Sequence, residues 1–290
     1  MNDFSIEALL RLVSALPLPL SHALGAGIGR LAGWVPNRYG AYAAANLGIC
    51  FKDLDAAARE RLLRRSLREQ GRTLMELPAL LLRSPEWVLG LIVEERGGEL
   101  MTREPERPLI VLSPHLGAWE LAGLHLAATA GRPTAILYRP QRRLDALLVS
   151  ARARSGAIMA SDDATGVRRI FRVLKRGGVA GILPDQLPRQ ESGQVTAPFF
   201  GEPVATMNLI SGLARRTGAR VIFKFAERLR RGYRIHYLEA PEGIDDADPV
   251  RAAEALNAGV EALVRRCPEQ YLWTYKRFRR RPNGLPSPYP

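Results

Sequence analysis

Cysteine is almost absent. Cys50 and Cys267 are the only two in 290 residues, they lie far apart, and no C-x-x-C spacing occurs. That excludes a disulfide framework and points to a reducing compartment. Histidine is scarce as well: His22, His115, His125 and His236 show no H-x-x-x-H spacing, so neither a metal site nor a cofactor held by one is expected. There is no internal repeat, no low-complexity block, and no nucleic-acid signature such as an aromatic RNP pattern or a zinc finger. Acidic residues are in deficit, 29 against 42 Lys and Arg, for a formal charge of +13. That balance suits an acidic partner, whether nucleic acid, anionic lipid or an acidic protein. Its plainer explanation is a set of Arg-rich, solvated helix faces. With 47% hydrophobic and 24% charged residues, the composition excludes a disordered, collagen-like or polytopic membrane chain.

One stretch lacks charge altogether. Leu12 to Gly29 (LVSALPLPLSHALGAGIG) holds no Asp, Glu, Lys or Arg and approaches the roughly 20 residues of a membrane span. Pro17 and Pro19 interrupt it, and Asp3 and Glu7 precede Arg11, unlike a signal peptide. Residues 1–35 are therefore read as an apolar segment that dips into or lies on a bilayer, the alternative being a helix buried against the core. From Asp55 to Leu82 a helical period follows (Leu62, Leu63, Leu67, Leu74, Leu77), with Pro78 expected to kink or end it and a short helix starting at Ser84-Pro85.

Further on the texture changes. LIVLS (109–113), TAILY (134–138), VAGIL (179–183), RVIFKF (220–225) and YRIHYL (233–238) read as buried strands. Helical patterns lie between them at 118–130, 141–154, 164–176, 204–217 and 249–266. This alternation predicts an α/β domain with a largely parallel central sheet flanked by helices, over residues 36–281, and a loose tail at 282–290.

The strongest local constellation is Ser113-Pro114-His115-Leu116-Gly117-Ala118-Trp119-Glu120, which leaves the first of these strands and opens a helix. Ligands of α/β sheets bind at the carboxyl ends of strands. If His115 lies in the turn and Glu120 in the first helical turn, Glu120 can accept the Nδ1 proton, leaving Nε2 to deprotonate a hydroxyl. Free amides at the helix start can hold an oxyanion or phosphate. The plain alternative is a capping histidine beside a surface carboxylate. Arg139 ends the second strand and can grip an oxyanion or phosphate, or be an ordinary surface arginine. Arg152 and Arg154 close the next helix, where cations suit the dipole. Asp185 and Gln186 follow VAGIL into a loop, a site position that allows pairing with an arginine. His125 reads as a core histidine, and His22 and His236 carry no role.

On these residues the chain resembles the late acyltransferases of lipid A biosynthesis, within the glycerolipid acyltransferase-like superfamily. The likeness rests on LPLPLSHALGAGIGRLAGWVP, NLGICF, GRTLMELP, SPHLGAWE, YRP, PDQ with APFFG, and PEQYLWTYKRF (268–278). It implies a single domain of that type and transfer of a fatty acyl chain from acyl carrier protein to a hydroxyl of a lipid A precursor. His115 and Glu120 would be the general base and its partner, and Arg139, Arg154, Asp185 and Gln186 substrate-binding residues. No metal or organic cofactor is implied. The setting would be the cytoplasmic face of the inner membrane, against an anionic surface and a membrane glycolipid. Gln141-Arg142-Arg143 and LPRQESGQV (187–195) depart from the commonest family forms, where acceptor or acyl pocket would lie. Other acceptors (another glycolipid, an aminoacyl lipid, a lysophospholipid) and a non-enzymatic basic membrane- or nucleic-acid-binding protein are the competing readings.

Overall fold

The computed structural model describes residues 3–141, 143–188, 191–281 and 286–290. Expectations touching Arg142, Arg189, Gln190 and 282–285 lie outside the described residues.

Four helices come first: α1 (Asp3–Ser14), α2 (Leu18–Ala32), α3 (Arg38–Cys50) and α4 (Ala56–Leu82), followed by the short α5 (Pro85–Leu89). Strands and helices then alternate: β1 (Ile92–Arg96), α6 (Glu99–Thr102), β2 (Leu109–Leu112), α7 (Trp119–Thr129), β3 (Thr134–Tyr138), α8 (Asp145–Ala153), β4 (Ile158–Ser161), α9 (Ala164–Lys175) and β5 (Val179–Ile182). The hairpin β6 (Gln194–Phe199) and β7 (Glu202–Met207) leads to α10 (Leu209–Thr217), β8 (Arg220–Arg228), β9 (Tyr233–Glu239) and α11 (Pro249–Val264).

Seven strands form one sheet in the order β1-β9-β8-β2-β5-β3-β4, in which only β8 and β9 run antiparallel. The predicted α/β class with a mostly parallel sheet is therefore met. Every residue of β2 is buried, Ile110 and Leu112 toward one face and Leu109 and Val111 toward the other. Burial on both faces is why this strand reads as an uninterrupted apolar run. One face carries α9, α10 and α11, the other α7.

The structure bears on three local expectations. Residues 204–217 are not one helix: 204–207 end β7, and α10 begins at Leu209. The hairpin turns on Phe200 and Gly201, both at positive φ, as a two-residue turn of that hand requires. Phe200 bears this conformation because Phe51, Phe199 and Trp273 pack around its ring. Second, α4 spans Ala56–Leu82, as the Asp55–Leu82 pattern predicts, and does not end at Pro78; Arg154 binds the last-turn carbonyls of Leu80 and Leu81. Third, the tail is held at Tyr289, whose buried hydroxyl donates to Asn46 Oδ1 (2.6 Å) and accepts from the Phe278 amide (2.9 Å).

The described part of the N-terminal segment, residues 3–35, is partly built into the body. α2 lies along α4 so closely that a Cβ on Gly25 would come 2.3 Å from the Gly71 carbonyl oxygen, and one on Gly29 2.1 Å from that of Leu67. Glycine is what permits this backbone contact. A buried cluster anchors the same region: Arg228 binds Glu76 and Glu69, and Glu76 also accepts from Tyr233 (2.7 Å) and pairs with His22 (2.7 Å). The opposite face of α2 is bare, with Leu20, Leu24, Ile28 and Leu31 exposed in one stripe and Leu12, Trp34 and Val35 exposed nearby. Among the described residues no single helix is long and apolar enough to cross a membrane; Ser5–Ser14 and Leu18–Ala32 pass that test only as a pair bent by 118°.

Candidate active site

Strand register assembles the site. β2 and β5 are parallel neighbours with Leu112 opposite Ile182. Three residues beyond each strand end, the chain delivers His115 from β2 and Asp185 from β5, side by side at the sheet's carboxyl rim. Asp185 accepts twice from His115: from ring Nδ1 at 2.8 Å and from the backbone amide at 2.9 Å. Burial pushes the Asp185 carboxyl up, but the His115 charge and these hydrogen bonds outweigh it and hold the group below the ordinary aspartate range. The carboxylate thus stays ionised and fixes the ring with hydrogen on Nδ1. Nε2 carries the lone pair, 3.1 Å from the Gln186 side-chain nitrogen.

The loop after His115 is pinned from behind. Leu272 donates its amide to the His115 carbonyl (3.0 Å), Gly117 donates to Gln270 O (3.1 Å), and Ala118 donates to Ala226 O (2.8 Å). Gly117 sits at φ +63°, and a Cβ there would lie 2.0 Å from the Ala226 oxygen. Only glycine fits both demands. The amides of Gly117 and Ala118, just before α7, are thereby occupied.

Glu120 does not meet His115. Its carboxylate is taken by Arg152 of α8, a two-pronged pair at 2.6 and 3.0 Å. The expected His115–Glu120 hydrogen bond is therefore replaced by His115–Asp185. The physical reason is reach: Asp185 arrives in register from the neighbouring strand, whereas Glu120 has turned with α7 toward α8. Asp185 accordingly pairs with the histidine rather than with an arginine.

His115 and Glu120 border one cavity of about 510 Å³, within the roughly 300–1,000 Å³ of ordinary small-molecule sites, and Asp185 stands behind it. His115, Trp119, Glu120, Arg139, Arg152 and Gln186 line it. Its walls are otherwise largely apolar and straddle the rim of the sheet. Gly123, Leu124, Ile136 and Ala151 bound a lobe on the α7–α8 side, and Leu137, Val167, Met207 and Leu209 bound one on the α9–α10 side. Arg139 reaches the cavity held by Asp162 (2.8 Å) and the Leu187 carbonyl (3.1 Å). Arg154 does not line the cavity; it is spent on the end of α4. So five of the six residues singled out in the sequence meet at or behind the cavity, and the sixth braces its wall.

Sequence reasoning passed over two groups. Arg152 was read only for its place at a helix end, yet it fixes Glu120. Tyr271 and its neighbours stand behind Asp185, and burial together with the Asp185 charge pushes the Tyr271 phenol well up. Its position inside PEQYLWTYKRF was the available signal. His125 is a buried core residue as expected, bonded to Lys224 Nζ at 2.8 Å. No cluster of three His, Cys, Asp or Glu fit to hold a metal occurs among the described residues.

Fold and site define an α/β protein with a histidine–carboxylate pair at the sheet rim beside a mostly apolar cavity. The model of the bacterial lipid A biosynthesis acyltransferase family matches residues 2–280, and the chain belongs to that family. It is 31% identical over 281 residues to a lipid A biosynthesis palmitoleoyltransferase of Escherichia coli (strain K12), covering 94% of this chain and 90% of that protein. It is 29% identical to the lauroyltransferase of the same organism (97% and 92% covered), and 27% identical to its myristoyltransferase (91% and 82%).

Proposed function

We propose that the protein transfers a fatty acyl group from acyl carrier protein to a hydroxyl of a lipid A precursor, with His115 as general base. The observation that carries this is the Asp185–His115 pair facing an apolar cavity from a sheet rim, in a chain of this family. The acceptor hydroxyl takes the place of the Gln186 amide at Nε2 and gives up its proton as its oxygen attacks the thioester carbonyl. The tetrahedral adduct collapses, the C–S bond breaks, and the imidazolium returns the proton to the leaving thiolate, yielding ester and free carrier thiol. Asp185 stabilises the imidazolium in between. Arg139 and the Glu120–Arg152 pair are the polar groups for the sugar phosphate and the developing oxyanion. In this reading Glu120 shapes the cavity through Arg152 and Asp185 orients the base.

The exposed stripe of α2 supports residues 1–35 lying on an anionic bilayer at the cytoplasmic face of the inner membrane. Arg11, Arg30 and Arg38 flank it, each worth about 1 kcal/mol near such a surface. A basic chain also attracts an acidic carrier protein.

The test is transfer of labelled acyl groups from acyl carrier protein to a defined lipid A precursor, with lysophospholipid offered in parallel. Product on the glycolipid, abolished in a folded His115→Ala variant, is expected. Near-normal turnover by that variant would overturn the mechanism, and product on lysophospholipid alone would move the acceptor.

A further inference from the structure

Gly123 is out of place as a helix residue. It lies in the interior of α7, one turn beyond Glu120, where glycine is among the poorest helix formers. Gly123 is half-buried, whereas the fully buried glycines of the described residues have a visible reason. Gly25, Gly29 and Gly71 let two helices touch backbone to backbone, and Gly117 needs both positive φ and close approach. Gly181, under the same helix, is hemmed in by Leu126 and Ile136 at 3.1 and 3.3 Å. Gly123 has none of this. Its φ is ordinary, and a Cβ added there would meet only Ile136 Cδ1, at 3.9 Å, which is normal van der Waals contact. What lies beyond is the cavity, whose wall Gly123 forms together with Leu124, Ile136 and Ala151. Ala151, the facing residue from α8, is likewise small.

The geometry points to Gly123 as the residue that sets how long an acyl chain the α7–α8 lobe accepts. This rests on the acyl-transfer reading for the identity of the ligand, though the open space itself does not. α7 climbs 1.5 Å per residue, so Gly123 stands about 6 Å along the helix from Trp119 beside the base. A chain with its carbonyl at His115 that runs into this lobe passes the bare backbone at 123. A side chain there occupies the path of the distal methylenes and leaves the reacting end untouched. Leucine shortens the lobe, alanine narrows it slightly, and neither touches His115, Asp185 or Glu120.

The experiment compares wild type, Gly123→Ala and Gly123→Leu in two readouts. One is transfer from an acyl carrier protein series from butanoyl to palmitoyl; the other is calorimetric binding of the matching free fatty acids. For Gly123→Leu, the longest chain that the wild type uses should lose at least about tenfold in kcat/KM relative to the shortest. The binding cut-off should move to shorter acids in step. Gly123→Ala should raise Tm by about 1–3 °C, since a helical glycine with free space around it is being replaced, while trimming only the longest chain. An equal loss at every length with Tm unchanged, an unaltered length profile, or a lowered Tm for Gly123→Ala would each overturn the inference. Should Gly123→Leu fail to fold, the alanine variant decides it alone. If the wild type binds long acids but transfers from no carrier, the functional reading fails and the length limit is judged on binding.

Discussion

Replacing Asp185 by asparagine removes almost no volume but inverts the hydrogen-bond chemistry around the base. Asp185 faces two donors, Nδ1–H and the backbone amide of His115, at 2.8 and 2.9 Å, and accepts from both. Asparagine has one acceptor oxygen and one NH₂ group, so it can satisfy only one of them as they stand. The backbone amide cannot change, whereas the imidazole can. The oxygen therefore stays with the amide, the NH₂ turns to Nδ1, and the ring takes the tautomer with hydrogen on Nε2. That nitrogen then has no lone pair for the substrate proton. Losing a positioned general base costs about 10²–10⁴ in rate, or about 2.7–5.4 kcal/mol in the barrier. The assay is the initial rate of acyl transfer under saturating donor, beside thermal unfolding of both proteins. A folded Asp185→Asn enzyme within about threefold of wild type would refute the assignment of Asp185 as the orienting group.

Three other outcomes are expected. Burial brings Lys224 down from the ordinary lysine value to about 7, so above that pH the unfolded chain binds a proton that the folded one lacks. Stability should then rise with pH from about 7 toward 9 by at most about 1.4 kcal/mol per unit, and chemical denaturation should find that slope gone in Lys224→Met. Gly71→Ala puts a Cβ 2.0 Å from the Gly25 carbonyl and should cost about 1–3 kcal/mol, seen as a lowered Tm and as faster proteolysis of α2; unchanged stability would mean the two helices do not touch. Exchanging Leu24 and Ile28, both exposed on α2, for glutamate should weaken flotation with anionic vesicles at least tenfold without changing Tm; undiminished flotation would place the bilayer contact elsewhere.

What could be read in advance follows from how local each signal is. β2, β3 and β5 announced themselves because strands covered on both faces must be apolar throughout. β1 was missed because it is a half-exposed edge strand, and β6–β7 because its turn is Phe200-Gly201 rather than the asparagine–glycine pair that normally marks such a hairpin. His115 was legible from the strand-to-helix junction alone. Its partner was not: Glu120 is close in sequence, but Asp185 is close in space, because three crossovers, through α7, α8 and α9, bring β5 back beside β2. No periodicity carries that strand order. Arg152 escaped for the same reason, since its role depends on α8 folding back along α7.

The pinning of the His115 loop by Gln270 and Leu272 has a consequence for how the site is assembled during synthesis. Residue 115 leaves the ribosome long before 272 does, and until then the His115 carbonyl and the Gly117 amide lack these partners. A nascent or prematurely stopped polypeptide can contain the whole sheet rim, with Asp185 beside His115, and still lack this brace behind the loop. The rear support of this loop thus forms late, as one of the last acts of folding.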